Sequence, residues 1–256
     1  MKVVTSLTNE TVKSVRALHL KKARDESGLF LAEGLKIVAE AVDQGHAPAI
    51  LLYSGKAADQ PALGRAAAAA REVIQVTPAV LAKISRRDNP QMVLGVFEQS
   101  YVPLADMSRD GVVLGLEEIR DPGNLGTILR TADATSCAGV ILIGETCDPF
   151  SVEAVRATMG SIFATSIARA SLDEFLAWRA GWPGSVVATQ LTATTDFRAF
   201  AYPPASLILL GNEQAGLSPA LAAVCDVTVK IPMRGRADSL NLAIAAGVML
   251  YAATSD

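Results

Sequence analysis

Histidine, cysteine and aromatic side chains are scarce in this 256-residue chain, which has two histidines, three cysteines and 5% aromatic residues. The cysteines, Cys137, Cys147 and Cys225, lie far apart and form no CxxC pair. With so few partners for them, no metal site is expected, zinc included. Three isolated thiols are also no disulfide framework, so a reducing cytoplasm is the expected setting. Long apolar runs are missing too. The longest apolar helical candidate, around residues 240–253, falls short of the ~20 residues that cross a bilayer. The opening residues MKVVTSLTNE lack the apolar stretch of a signal peptide, so a soluble protein with no membrane partner is expected. Positive charge is not in excess either, because the formal net charge is −3. Any nucleic-acid contact must therefore rely on a local concentration of basic residues.

Half of the residues are apolar and 19% are charged, the composition of a folded globular chain. Two regions differ in texture. Residues 1–98 begin with a charged helical stretch at 11–24. Up to position 36 they hold seven basic residues (Lys2, Lys13, Arg16, Lys21, Lys22, Arg24 and Lys36) and four acidic ones, a local net charge of +3. That excess is read either as a small platform for RNA phosphates or as a solvated helix face. Strands are expected at 28–32, 49–53, 72–76 and 93–98, with helices at 35–42 and 65–71, which makes a small alternating α/β unit. Residues 99–110, with Pro103, read as a linker. From 111 to 256 short aliphatic runs at 112–116, 140–143, 186–189, 207–210 and 227–231 alternate with helical segments. Runs of that kind suit buried parallel strands covered by helices on both faces.

Ligands of such sheets gather at the carboxyl ends of the strands, so three loops hold the candidate chemistry. In the first, Asp121-Pro122-Gly123-Asn124 is a turn signal ahead of a helix over 125–134. Asn124 and Arg130 stand six positions apart on it and can face one ligand only if Asn124 sits on the turn itself. The second, Gly211-Asn212-Glu213-Gln214-Ala215-Gly216, sets glycines around a carboxylate, and Ser218-Pro219 reads as an N-cap with proline in the first turn. The third runs from Ile231 to Asn241 and opens an apolar helix, with Ser239 as its expected N-cap. That helix is apolar almost all round and is expected to be buried, inside the subunit or against another one.

Together, DPGNLGTILRTADA, LILLGNEQAGLS and IPMRGRADSLNLAIAAGVMLY resemble the three ordered motifs of the SpoU (TrmH-like) family of ribose 2′-O-methyltransferases, in the SPOUT class. VRATMGSIF at 155–163 is similar to a fourth shared stretch. KARDESGLFLAEG at 22–34 and the segment 89–97 resemble a substrate-binding domain akin to ribosomal protein L30e.

The resemblance implies an α/β protein: an L30e-like domain at 1–98, a linker at 99–110, and a SPOUT domain at 111–256 with a parallel sheet and a C-terminal trefoil knot. It implies S-adenosylmethionine as cofactor, ribosomal or transfer RNA as substrate with ribosomal RNA favoured, and a homodimer with its active site near the subunit interface. Arg130, Asn124, Glu213, Ser239 and Asn241 match the catalytic positions. Gly211, Ile231, Met233 and Leu240 match positions holding the adenosine, with Thr189, Leu210 and Gly216 as neighbours. Leu242 and Ala243 depart from the residues common in the family, beside the pocket rather than in it.

Such chemistry needs orientation and help with the hydroxyl proton rather than a metal. Guanidinium has a pKa above ~12, so Arg130 is expected to position and stabilise charge, and its part as a base stays open. The alternative function is a non-catalytic RNA-binding or ribosome-assembly factor keeping the fold, against which the complete polar set argues. An oxidoreductase would want a GxGxxG after the first strand of the sheet, which is missing.

Overall fold

The computed structural model describes residues 2–254, which divide into two compact units. One combines the residues up to Gln99 with Asp148–Ala164, and the other combines Ser100–Cys147 with the residues from Thr165 onward.

The first unit has strands β1 (Lys2–Val4), β2 (Leu29–Glu33), β3 (Ile50–Ser54), β4 (Glu72–Val76) and β5 (Val93–Glu98) in the order β1-β4-β3-β5-β2. β3 runs parallel to β4 and antiparallel to β5, and β2 is antiparallel to β5, so the sheet is mixed. Its helices are α1 (Glu10–Ala17), α2 (Lys21–Ser27), α3 (Leu35–Asp43), α4 (Pro61–Ala69) and α5 (Pro78–Ser85), with α7 in chain order at Val152–Thr158. The charged stretch at 11–24, expected as one helix, is two. The chain turns out of α1 to bury Leu18 in the core and re-enters α2 through Leu20, which has extended backbone. Gly28, left-handed at φ 67°, stops α2 and delays the next strand to Leu29.

Arg24 is also not on a solvated face. It is 3% exposed, and its Nη2 and Nε lie 2.6 and 2.8 Å from Asp148 Oδ2 while Nη1 donates to the Leu18 carbonyl at 2.7 Å. Asp148 Oδ1 accepts the Phe150 amide at 2.8 Å. Phe150 packs on Phe30 with ring centroids 4.9 Å apart, and Phe163 on Phe97 at 4.8 Å. These contacts pack residues 148–164 into this unit.

The second unit is a seven-stranded, wholly parallel sheet in the order β10-β12-β9-β11-β6-β7-β8. The strands are β6 (Val112–Glu117), β7 (Gly139–Ile143), β8 (Ile167–Ala170), β9 (Ser185–Thr189), β10 (Thr195–Asp196), β11 (Ser206–Leu210) and β12 (Val227–Lys230). The helices are α6 (Pro122–Ala134), α8 (Leu172–Arg179), α9 (Pro219–Ala223) and α10 (Leu242–Thr254). β8 and β10, absent from the expectation, are edge strands of four and two residues, too short for a periodic signal. Residues 100–110 pack along this unit. The Val102 amide donates to the Ile167 carbonyl, and Met107 is 3% exposed within the core of this unit.

α10 is not buried all round. Leu242, Ala246, Met249 and Leu250 face inward, while Ile244 and Tyr251 are 55% and 57% exposed. No helix among the described residues is long and apolar enough to cross a membrane.

Removing one partner of a buried ion pair strands the other charge, at a cost of about 3–5 kcal/mol. Asp148→Ala is therefore expected to destabilise the full chain by about 3–5 kcal/mol in denaturant unfolding, and Arg24→Met by a similar amount. A loss under about 1 kcal/mol for Asp148→Ala would show that the pair does not hold residues 148–164 in place.

Candidate functional site

Because the sheet of the second unit is wholly parallel, the carboxyl ends of β12, β9, β11 and β6 lie side by side on one edge. The loops that leave them enclose a cavity of about 560 Å³, within the usual range for small-ligand sites. All seven residues matched to cofactor positions line it: Thr189 at the end of β9, Leu210, Gly211 and Gly216 after β11, and Ile231, Met233 and Leu240 after β12.

The floor is the loop after β11. Asn212 N–H donates to the Gly216 carbonyl at 3.0 Å and Gly216 N–H returns to the Asn212 carbonyl at 2.9 Å, closing the turn. Gly216, at φ 70°, makes that closure possible. A Cβ on Gly211 would come within 2.0 Å of the Gly216 carbonyl carbon and 2.2 Å of the Leu217 nitrogen, so no side chain fits there. The Asn212 side chain ties the loop down. Its Oδ1 accepts the amides of Gln214 and Ala215, and its Nδ2 donates to the Glu118 carbonyl at 3.0 Å. Buried Glu117 accepts the Ser218 amide at 2.7 Å just beyond.

Sequence reasoning passed over Asn212 and Glu117. The first carried a findable signal, an Asn opening a turn straight after a strand. The second, a carboxylate ending an aliphatic strand, gave no sign of its partner a hundred residues away.

The polar residues fall into two groups. Asn241 Nδ2 donates to Asn124 Oδ1 at 2.9 Å, and Asn124 Nδ2 donates to Glu213 Oε1 at 3.4 Å. Glu213 and Ser239 line the cavity. Arg130 is elsewhere: it lines no part of the cavity, is exposed, and makes no hydrogen bond or ion pair with the described residues.

The cause is local. Asp121 caps α6 by accepting the Asn124 amide at 2.6 Å, which puts Asn124 inside the first helical turn rather than on the preceding turn. Six residues at 100° each then turn Arg130 about 240° around the axis from Asn124. Ser239 is likewise not the N-cap of α10. Asn241 takes that place, its Oδ1 accepting the Ala243 amide at 2.8 Å and that of Ile244 at 3.4 Å.

Among the described residues no cluster of His, Cys, Asp and Glu could hold a metal ion. Cys137 and Cys225 are poor nucleophiles, since burial raises the Cys137 pKa and pushes that of Cys225 up to about 11. A buried hydroxyl without a partner, Thr189 Oγ1, lies among the lining residues.

The model of the SpoU rRNA methylase family matches residues 111–251, and that of an MRM3-like substrate binding domain matches 9–95. A crystal structure of an AdoMet-bound rRNA methyltransferase from Sinorhizobium meliloti is 50% identical, with a TM-score of 0.91 over 98% of this chain and 97% of that one. A 23S rRNA uridine 2′-O-methyltransferase of Streptomyces viridochromogenes is 34% identical over 91% of this chain and 85% of its own. A 23S rRNA guanosine 2′-O-methyltransferase of Bacillus subtilis is 29% identical over 98% of each.

Gly211→Ala is expected to pry residues 211 and 216 apart. The measurement is amide hydrogen exchange, with protection across 211–217 falling at least about tenfold while β6 and β7 stay protected. Unchanged protection in the loop would mean that the turn is not held shut by this contact.

Proposed function

The chain belongs to the SpoU rRNA methylase family, and from that premise we propose that it transfers a methyl group from S-adenosylmethionine to a ribose 2′-hydroxyl of ribosomal RNA. The observation that carries this reading is the single cavity at the carboxyl ends of β9, β11 and β12, framed by Thr189, Gly211, Ile231 and Met233. Its residues fit an adenosine. The glycine turn admits close backbone approach, Ile231, Met233 and Leu240 supply apolar walls, and Thr189 Oγ1 is a buried polar atom still without a partner.

The cofactor supplies a methyl group on a cationic sulfur, already activated for transfer. The protein's residues then have three tasks. The closed loop at 211–216 and the backbone around Ile231 and Met233 hold the donor. Asn124, Glu213 and Asn241 form one hydrogen-bonded chain at the rim, where Glu213 can accept a hydrogen bond and Ser239 can orient a polar group. Arg130 positions the RNA phosphate and stabilises the oxygen as its proton leaves.

We assign a homodimer to this enzyme. Ile244, Val248 and Tyr251, spaced four and three residues apart, form an apolar stripe on the outer face of α10 that a second copy would cover. An active site near that interface gives Arg130 a place to act, although it stands outside the cavity of its own chain. The same reading includes the threaded C-terminal knot of the SPOUT class and a cytoplasmic enzyme.

Arg130→Ala should lower methyl transfer to ribosomal RNA by at least about a hundredfold, the scale of a lost charge-stabilising donor. Arg130→Lys should recover little, because a point charge does not replace a planar fork. Titration calorimetry should give both variants the wild-type affinity for S-adenosylmethionine. Near-normal transfer by the alanine variant would remove Arg130 from the chemistry, and absence of transfer by the wild type would remove the function.

A further inference from the structure

The basic excess at the start of the chain is largely neutralised in place. Lys13 pairs with Glu10 at 2.7 Å, Lys21 with Asp25 at 2.6 Å, Lys22 with Glu26 and Lys36 with Glu40 at 3.8 Å, and Lys2 with Glu72 at 2.8 Å. Arg24 is buried against Asp148. Two other cations of the same unit share one carboxylate, the one that ends β2.

Glu33 has a side chain 3% exposed, and two guanidiniums converge on its Oε2: Arg156 from α7, with Nη2 at 3.1 Å, and Arg87 from the loop after α5, with Nε at 3.8 Å. Both arginines keep outward reach, with side chains 41% and 35% exposed. Arg87 makes no hydrogen bond with the described residues, and Arg156 gives only one. Apart from Arg156 Nε, which is buried, most of their ten N–H donors are therefore free.

Arg86 stands next in the chain, held in left-handed backbone at φ 55° where α5 ends. Half-buried His19 reports the same field. Burial lowers its pKa first, and Arg86 and Arg156 lower it further, against Glu33 and a hydrogen bond with the Ile84 carbonyl that raise it. The acidic neighbours on these elements, Asp88 and Glu153, are exposed and lack the fixed contact that Glu33 makes.

We propose that Glu33 is a buried positioning residue that holds Arg87 and Arg156 as a two-armed clamp for a backbone phosphate of the substrate RNA. Planar guanidiniums bind phosphate oxygens in bidentate fashion, and two of them facing one anion fix its place as well as its affinity. A carboxylate buried between them offsets their repulsion when no RNA is bound and aims both at the same point. The clamp rests on the RNA methyltransferase reading, and it names where the substrate-binding unit grips the chain of phosphates.

The test uses the full-length protein and 23S rRNA transcribed in vitro, with affinity measured against salt. Arg87→Ala with Arg156→Ala should weaken binding at about 0.1 M salt by tenfold or more. It should also reduce the slope of log K against log salt by about 0.7–0.9, the contribution of one phosphate contact. Affinity for S-adenosylmethionine should not change.

Arg156→Lys and Glu33→Gln should keep the slope and lose several-fold in affinity, because the charge stays while its aim is lost. Thermal melting of each variant identifies one that fails to fold, and the partly exposed arginine positions keep the test informative if Glu33→Gln is such a case. A double variant binding with wild-type affinity and slope overturns the clamp alone. A wild-type protein that neither binds nor methylates the RNA overturns the clamp together with the function.

Discussion

The candidate site depends on how closely one stretch of backbone packs against another. At Gly211 the strand β11 ends and the chain doubles back, so that residue 216 passes over the α-carbon of residue 211 with no room for a methyl group. The two backbone hydrogen bonds that close the turn contribute about 1 kcal/mol each on balance. A carbon forced to 2.0 Å from another is costlier than both together, so sterics rather than hydrogen bonding require a glycine there. From this closure the rest of the site follows. Asn212 is fixed on the Glu118 carbonyl, Glu213 is presented toward Asn124, and the lining from β9 and β12 has a floor to enclose.

Much of the catalytic unit was legible in the sequence, because buried parallel strands leave continuous aliphatic runs. The cores of β6, β7, β9, β11 and β12 all lie where such runs stand, within one or two residues at each end. The loops after three of them hold the cavity, as the geometry of parallel sheets demands. What the sequence hid was long-range packing. Nothing in the periodicity of Asp148–Ala164 ties Phe150 to Phe30 or Asp148 to Arg24, since pairs about 120 residues apart leave no local trace. The apolar composition of α10 left open burial inside the subunit or against another one, and within one chain Ile244 and Tyr251 stay outside.

Cap geometry explains where the candidate side chains of two loops come to sit. Asp121 and Asn241 took caps that other residues were expected to fill or to leave free. Asp and Asn outcompete alternatives when their short side chains reach the second or third amide of the helix. Once Asp121 caps α6, Asn124 enters the helix and its amide turns toward Asn241 and Glu213, while Arg130 points away. One capping carboxylate thereby separates the polar chain from the guanidinium. Within one chain the two therefore stand on different sides of α6.

Charge on the substrate-binding unit obeys a similar distinction between composition and geometry. An exposed i,i+4 pair such as Lys22 with Glu26 is worth only about 0.3–0.5 kcal/mol, too little to keep the lysine from a phosphate. Those lysines can therefore add diffuse, salt-screened attraction, but they cannot say where along the RNA a phosphate should sit. A carboxylate 3% exposed with two guanidiniums on one oxygen is different, because its geometry does not relax when solvent or salt changes. Attraction is spread over the helices, and registration is confined to Glu33, Arg87 and Arg156. For an enzyme that must bring one ribose oxygen to one methyl group, fixed registration matters more than net charge, which is why an acidic chain can serve a polyanionic substrate.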